Sequence, residues 1–306
     1  MTVRRRFVLV DVFADRPLAG NPLAVFPEAE GLSAADLQPL AREMDHAATA
    51  FLFPARLPEA AFRLRIFSRD REIPFAGHPA LGAHFVHAAE TKRRLRAPVT
   101  RVVHEGETGL VEVELAVEDS RVTLLRLTQQ PPVLGDRLEG ESVAAAAEAL
   151  GLKEEAIQAT NQPIQVVSTG LPVLVVPVAT LSDLHAARPR YDLLGRLLEG
   201  REASIVYAFT KETIDARSAA HARAFDVGSF FEVPGAGAAA GALAAYLVAN
   251  GAVRVAPATS LVVEQGHVLD RPSTLVAEVS VRPDGAVERV VVGGKVIRVG
   301  EGSVDL

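Results

Sequence analysis

The sequence predicts an α/β (α+β) fold built from two similar domains, residues 1–125 and 126–306, with the chain ends free to cross between them. The 306 residues are 49% hydrophobic and 23% charged, which suits a globular protein of two ordinary domains. Strand-like and helix-like patterns alternate along both halves. A stretch in the first half, 65–83, also resembles a stretch in the second, 223–242.

The first half begins with a buried strand at 7–13, where β-branched and aromatic residues run without helical period. Ser33 is a good N-cap for an amphipathic helix at 34–44. A Gly-His-Pro turn precedes a helix of small residues at 80–89. Further strands are predicted at 23–26, 49–53 and 62–67, and three antiparallel runs fill 99–127.

The second half follows the linker or crossover predicted at 129–132. A helix at 142–150 ends at Gly151, a suitable residue just beyond a helix C-terminus. A second helix lies near 191–199. Strands are predicted at 165–168, 173–178, 204–209, 260–263, 275–281, 287–292 and 296–299.

The two similar stretches each read as a strand, a turn and a helix that starts with small residues or proline. The matched positions are Arg65 with Arg223, Phe67 with Phe225, Glu72 with Glu232, Pro74 with Pro234, and Gly77 with Gly237. Two copies about 160 residues apart indicate duplicated domains rather than an array of short repeats.

Composition excludes several kinds of chemistry. The chain has no cysteine, so disulfides, thiolate zinc sites and cysteine nucleophiles are ruled out. Its histidines share no metal-ligand spacing, and we predict no metal. The Gly235, Gly237 and Gly241 spacing does not fit a dinucleotide fingerprint, and neither a phosphate-binding lysine loop nor a serine-hydrolase elbow occurs.

The charge and hydropathy patterns give expectations about partners and location. A net charge of −6 argues against a nucleic-acid partner. No run approaches the roughly 18 apolar residues of a membrane span, and the apolar stretch after the first six residues is too short for a signal peptide. We therefore expect a cytoplasmic protein without a membrane partner.

Five segments, in order, resemble those of one family. They are VDVFADRPLAGNPLAVF (10–26), RIFSRDREIPFAGHPALGA (65–83), STGLP (168–172), EQGHVLDRPS (264–273) and VVVGGKVIRVGEG (290–302). Together they resemble the PhzF family of phenazine biosynthesis-like isomerases across nearly the whole chain.

The resemblance implies a diaminopimelate-epimerase-like fold, with a mixed, curved sheet around a central helix in each domain and a ligand in the cleft between domains. The central helices would be 80–89 and 238–248, whose glycine-rich starts could present backbone N–H groups to a carboxylate. Those glycines could equally serve packing alone. The resemblance further implies no cofactor, a small-molecule carboxylate ligand and a homodimer. It places substrate contacts at Asn21, Gly77, Gly237 and Ala238.

The same resemblance shows that the usual acid/base groups are replaced. The family's proton-shuttling glutamate falls on Ala48, its aspartate on Val233 and its serine on Ala238. Alanine and valine cannot exchange a proton, so the standard mechanism is not supported. His78 remains from the family's set and is the candidate catalytic acid/base or oxyanion donor, although it could be purely structural.

Three further residues are candidates to replace the glutamate. Asp45 and His46 lie just upstream of its position, where they could also be solvent-facing residues at a helix C-terminus. Glu232 matches Glu72 in the repeat, and both could instead serve in capping or in pairing across the domain interface.

Two functions stay open at this point. One is a cofactor-independent isomerase that moves a proton on a small unsaturated or amino-acid-derived carboxylic acid in a biosynthetic pathway. The other is a degenerate paralogue that binds a small carboxylate or a protein partner without turnover. Retention of His78 favours the enzyme, and the three substitutions favour the paralogue.

Overall fold

A computed structural model of the protein describes residues 4–74, 77–91, 95–254 and 258–306. Tertiary contacts divide the chain into two compact units, 1–127 with 293–306, and 128–292. The last 14 residues thus belong with the first unit, whereas the sequence assigned them to the second domain while allowing the chain ends to cross.

The first unit is a sheet with two helices, and its elements are numbered along the whole chain. They are β1 (Arg4–Val12), β2 (Asn21–Phe26), α1 (Ala34–Met44), β3 (Thr49–Phe53), β4 (Phe62–Phe67), β5 (Glu72–Ile73), α2 (Gly77–Glu90), β6 (Val99–Gly106), β7 (Gly109–Glu118), β8 (Arg121–Thr128) and the closing strand β18 (Val296–Asp305).

The sheet of the first unit mixes parallel and antiparallel neighbours. β1 pairs antiparallel with both β18 and β2, and β2 runs parallel to β3. β4 pairs antiparallel with β3 and β5 and parallel with β6, after which β6, β7 and β8 form a meander. Helix α2 packs on β1, β2 and β3, and it approaches them closely because Gly82 lacks a side chain.

The second unit contains the remaining elements. They are β9 (Val133–Leu138), α3 (Glu141–Leu150), α4 (Glu155–Gln158), β10 (Ile164–Ser168), β11 (Pro172–Pro177), α5 (Leu181–Ala186), α6 (Tyr191–Leu198), β12 (Ile205–Thr210), β13 (Ala220–Asp226), β14 (Phe231–Val233), α7 (Gly237–Ala249), β15 (Ala258–Gln265), a 3₁₀ turn (His267–Leu269), β16 (Ser273–Val281) and β17 (Val287–Gly294).

The second unit repeats the topology of the first. β11 and β12 run parallel, β12 and β13 antiparallel, and β13 pairs antiparallel with β14 and parallel with β15, as β2, β3, β4, β5 and β6 do. Helix α7 takes the place of α2, and its residues from 239 to 248 are all buried, as expected for a helix that is apolar on every side. The internal repeat in the sequence is therefore a repeat of structure.

Most elements follow their predicted limits. The helix at 34–44 and the strands at 49–53 and 62–67 lie where they were predicted, and both central helices begin slightly earlier, at Gly77 and Gly237. Strand β9 follows the predicted linker and was not expected, since five of its six residues are exposed. In the described part of the chain, no helix is both long enough and apolar enough to cross a membrane.

Candidate functional site

His78 lies in the first turn of α2 and is the most perturbed of the predicted site residues. Its ring is half-buried, but Nε2 is fully enclosed and has no hydrogen-bond partner among the described residues. Burial lowers the pKa of His78 to about 3, and the nearby charge of His46 lowers it in the same direction. The imidazole is therefore neutral at physiological pH, with one enclosed nitrogen that no described group satisfies.

The two residues after α1 point to different surroundings. Asp45 ends the helix in the left-handed conformation, at φ 53°, and its exposed carboxylate pairs with Arg69 at 3.1 Å. His46 is half-buried and lies close enough to His78 to affect the pKa of that residue. The fold thus brings His46 towards His78, whereas it commits Asp45 to a surface ion pair.

The other predicted site residues of the first unit lie at the starts of β2, β3 and α2. Ala48 is 1% exposed and immediately precedes β3, while Asn21 is fully buried at the start of β2, opposite Val12 of β1. No heavy atom of the described chain lies within 4 Å of the point where a Cβ at Gly77 would stand. The start of α2 therefore has open space beside it, next to His78.

Glu232 is held by an arginine of its own repeat. Its carboxylate accepts two hydrogen bonds from Arg223, at 2.9 and 2.7 Å, and both side chains are buried. Glu72 is held in the same way by Arg65, at 2.7 and 2.6 Å. Each glutamate is thus paired within its own repeat and not across a domain interface as the sequence suggested, and in this arrangement Glu232 neutralises Arg223.

At the start of α7, Gly237 is buried and Ala238 is half-buried. The Ala238 carbonyl accepts a hydrogen bond from the Thr169 hydroxyl at 3.3 Å. Val233, in β14, is 9% exposed and offers no ionisable group. Val233, Gly237 and Ala238 thus offer backbone groups and small side chains, but no acid or base.

Gln265 braces this helix start and was not singled out from the sequence. Its Nε2 donates to the Val233 carbonyl, and its Oε1 accepts from the Tyr207 hydroxyl at 2.9 Å and from the Ala236 N–H at 3.3 Å. The following residue, Gly266, has φ 78°, and a Cβ there would lie 2.6 Å from the Pro234 carbonyl oxygen. The Gln-Gly pair of the EQGHVLDRPS segment therefore fixes the turn before α7, and that motif was the available signal.

A second histidine cluster lies in the second unit. His221 Nδ1 lies 2.8 Å from a carboxylate oxygen of Glu264, and His221 Nε2 lies 3.1 Å from His185 Nε2. Burial lowers the pKa of His221 to about 4, although the hydrogen bond that His221 donates to the Glu264 carboxylate opposes the shift. A neutral His221 therefore donates through Nδ1 to the carboxylate and accepts through Nε2 from His185.

Glu264 is stabilised as a carboxylate despite its burial. Burial alone would raise its pKa, but the pKa is lowered because the carboxylate accepts hydrogen bonds from the backbone N–H groups of Ile214 and Asp215 and from His221. Sequence reasoning missed this network because its members are far apart along the chain. Within the described ranges, no group of three or more histidine, aspartate or glutamate side chains is arranged to hold a metal ion.

Comparisons with known proteins agree on one family. The model of the phenazine biosynthesis-like protein family, PhzC-PhzF, matches residues 10–302. An uncharacterised isomerase of Mesorhizobium japonicum is 33% identical over 98% of both chains. A trans-2,3-dihydro-3-hydroxyanthranilate isomerase of Pseudomonas chlororaphis is 30% identical over 98% of this chain and 99% of that one.

The solved structures agree on the fold. A predicted epimerase from Pseudomonas aeruginosa is 34% identical, covers 98% of this chain and 99% of its own, and superposes with a TM-score of 0.81. The predicted diaminopimelate-epimerase-like α/β fold is thereby confirmed. The chain belongs to the PhzC/PhzF family of phenazine biosynthesis-like proteins, and its relatives identify it at family level as a PhzF-like isomerase.

Proposed function

We propose that this isomerase moves a proton between two carbons of a small unsaturated carboxylic acid, with His46 as the base and His78 as a hydrogen-bond donor. One observation carries the proposal. His78 has an enclosed Nε2 without a partner among the described residues, and His46 is near enough to shift the pKa of His78. Enclosed, unsatisfied titratable groups with strongly shifted pKa values are typical of catalytic sites.

The low pKa of His78 assigns its role. A group with a pKa of about 3 is a weak base, so it is unsuited to taking a proton from carbon. A neutral imidazole can, however, donate its N–H to an oxygen on which negative charge develops. We therefore assign His78 to stabilise the oxyanion of the deprotonated substrate.

His46 is the proposed replacement for the family's glutamate. It precedes Ala48, the position of that glutamate in the motif match, by two residues. In the proposed step the His46 imidazole takes a proton from one substrate carbon, and the electrons of the broken C–H bond move into the conjugated system towards the carboxylate. The resulting imidazolium returns the proton to another carbon, so nothing is gained or lost overall.

The substrate carboxylate is proposed to bind at the start of α2. The first backbone N–H groups of a helix have no partner within the helix and carry partial positive charge. The space beside Gly77 would allow a carboxylate to approach them next to His78. A conjugated carboxylate fits this arrangement because its oxygens receive the negative charge that the proton transfer creates.

The test is exchange of substrate hydrogen with solvent deuterium, followed by NMR. The first probe is trans-2,3-dihydro-3-hydroxyanthranilate, the compound in the name of the Pseudomonas relative, and other small conjugated carboxylates follow. We expect His46→Ala to abolish exchange and His78→Ala to slow it by about 10²–10³-fold. Asp45→Asn is the matched control and should exchange like the wild type, since Asp45 pairs with Arg69 at the surface.

Exchange that survives in His46→Ala would contradict the assignment of the base. A binding protein without turnover is the second candidate, because buried Ala48 and Val233 occupy positions where the family carries acids. That function predicts a different result: the carboxylate binds in calorimetry, but no deuterium enters it in the wild type. Ala48→Glu would then be expected to create exchange where the wild type has none.

A further inference from the structure

A groove of about 510 Å³ opens on β4 of the first unit, apart from the proposed active-site residues. Three arginines and three glutamates line it, together with His104, Pro74, Ala80 of α2 and apolar residues of β4, β5 and β7. The charged residues are Arg56, Arg63, Arg65, Glu72, Glu105 and Glu107. A concave site of this size, with a few convergent charges, is typical of a small-molecule site.

Two of the arginines lack an anionic partner. Arg65 is paired with Glu72 at 2.6 Å, but neither the Arg56 nor the Arg63 guanidinium forms an ion pair with any described residue. The Nε of Arg63 is buried and has no hydrogen-bond partner in the described chain. Burial lowers the pKa of Arg63, and the charges of Arg56 and Arg65 lower it further, while the charges of Glu105 and Glu72 oppose the shift.

The second unit shows which hydrogen-bond acceptors the counterpart of Arg65 has. Arg223, the counterpart of Arg65, is paired with Glu232 and also donates to the carbonyl oxygens of Leu184 and Ala187, both at 2.9 Å. Those carbonyls come from the end of α5, which lies between β11 and β12 as α1 lies between β2 and β3. Among the described residues, the Arg65 side chain thus has Glu72 as its one hydrogen-bond partner, whereas that of Arg223 has Glu232 and two backbone carbonyls.

The charges of the groove select the class of ligand. Three arginines and three glutamates cancel, and His104 is neutral because burial lowers its pKa to about 4. A simple anion would therefore meet as much repulsion as attraction. A zwitterion can place its carboxylate on the unpaired arginines and its ammonium group on the glutamates.

The strand register places a glutamate beside Arg63. Arg63 and Glu105 stand opposite each other on the parallel strands β4 and β6. Residues opposite each other on neighbouring strands project to the same face of the sheet, so the side chains of Arg63 and Glu105 can contact one small ligand together. Glu105 accepts one hydrogen bond at Oε2 from the Arg56 N–H, at 2.9 Å, which leaves Oε1 for a ligand ammonium.

We propose that this groove binds a free α-amino acid, with its carboxylate on Arg63 and Arg56 and its ammonium group on Glu105. This site is separate from the residues proposed to move the proton, and the proposal does not depend on the proposed function.

The experiment titrates the intact protein with each of the standard amino acids by isothermal calorimetry. At least one should bind, and Arg63→Met and Glu105→Gln should each weaken that binding by about tenfold or more. Arg56→Met gives a second test with little risk to folding, because Arg56 is exposed. Arg101→Met is the matched control, since Arg101 is an exposed arginine of β6 that pairs with Glu114 outside the groove.

Succinate and 1,4-diaminobutane test the need for both charges in one ligand, and both should bind at least about tenfold more weakly than the best amino acid. The proposal is overturned if no amino acid binds, or if succinate binds equally well. It is also overturned if binding survives Arg63→Met but is lost in His78→Ala, because the ligand would then occupy the proposed active site.

Discussion

At the scale of single residues, the two arginine–glutamate ion pairs differ in burial, and burial determines how much each pair contributes to the free energy of unfolding. The Arg223 and Glu232 side chains are 4% and 9% exposed, whereas those of Arg65 and Glu72 are 23% and 33% exposed. Each guanidinium also stacks on the phenylalanine two residues later, Phe225 or Phe67. The two sites therefore share the ion pair and the ring contact, and they differ in their access to water and in the two carbonyls that accept from Arg223.

This difference predicts unequal effects of the same substitution. Glu232→Gln should lower the free energy of unfolding by about 3 kcal/mol or more, because it leaves the buried charge of Arg223 without compensation. Glu72→Gln, its matched control, should cost about 1 kcal/mol or less, since water can solvate Arg65. Urea unfolding measures both, and equal losses would show that burial does not decide the strength of these pairs.

The sequence could identify part of the site at this scale. His78 and Glu232 stand out because each lies in a recognisable motif, but the pairing of Glu232 with Arg223 of its own repeat was not predicted. The His185, His221 and Glu264 network could not be predicted, since its links span 36 and 43 residues and depend on strand register. Asp45 and His46 are neighbours in sequence, yet the left-handed turn at Asp45 sends them to different surroundings.

At the scale of elements, the central helices depend on glycines that allow close approach to the sheet. A Cβ at Gly82 of α2 would lie 2.3 Å from Leu23 Cδ2 and 3.2 Å from Val10 Cγ2, and both side chains are fully or nearly fully buried. A Cβ at Gly241 of α7 would lie 3.0 Å from Val292 Cγ2. Small residues in these helices therefore serve packing along their length, as the sequence allowed.

The matched pair Gly82→Ala and Gly77→Ala compares a glycine packed against the sheet with a glycine beside open space. Gly82→Ala should destabilise the protein by about 1–3 kcal/mol, because the added methyl group must displace buried side chains. Gly77→Ala should change stability by less than about 0.5 kcal/mol, because the space beside it is open. Thermal and urea unfolding measure the stability of both variants. If Gly82→Ala is as stable as the wild type, then the side chains of β1 and β2 can move to accommodate the added methyl group.

The first and last residues of a helix or strand could be predicted where the hydrophobic pattern and the capping or turn residues agree. The 34–44 helix has its Ser33 cap and a polar capping box, and β3 and β4 are bounded by polar turns. Strand β9 carries no alternation of buried and exposed residues, so hydrophobic periodicity could not reveal it. Its pairing with β10 defines it instead.

At the scale of the whole molecule, the path of the chain ends could not be read from local pattern. β18 pairs with β1 from Arg4 opposite Asp305 to Val12 opposite Val296, and this register joins residues from the two ends of the sequence. Periodicity predicts that both segments are strands, but it says nothing about which strand each one meets. The sequence allowed the chain ends to cross between domains, but it could not specify that residues 293–306 join the first unit.

Buried histidines in both units predict that the protein loses stability in mild acid. Burial lowers the pKa of His104 and of His221 to about 4, while an unfolded chain would titrate near the ordinary value of 6.5. The unfolded state thus binds more protons between these pH values, and the free energy of unfolding falls as the pH drops from about 6.5 to about 4. Each histidine should account for about 3 kcal/mol of that loss.

His104→Gln tests this origin of acid sensitivity. His104 is 2% exposed and lies 2.8 Å from His84 Nε2 through its Nδ1, a contact that a glutamine amide can partly replace. Urea unfolding at pH 8, 6 and 4 should show a smaller fall for His104→Gln than for the wild type, by about 3 kcal/mol between the extremes. If the variant differs from the wild type by the same amount at every pH, then His104 contributes packing alone and its protonation does not drive acid unfolding.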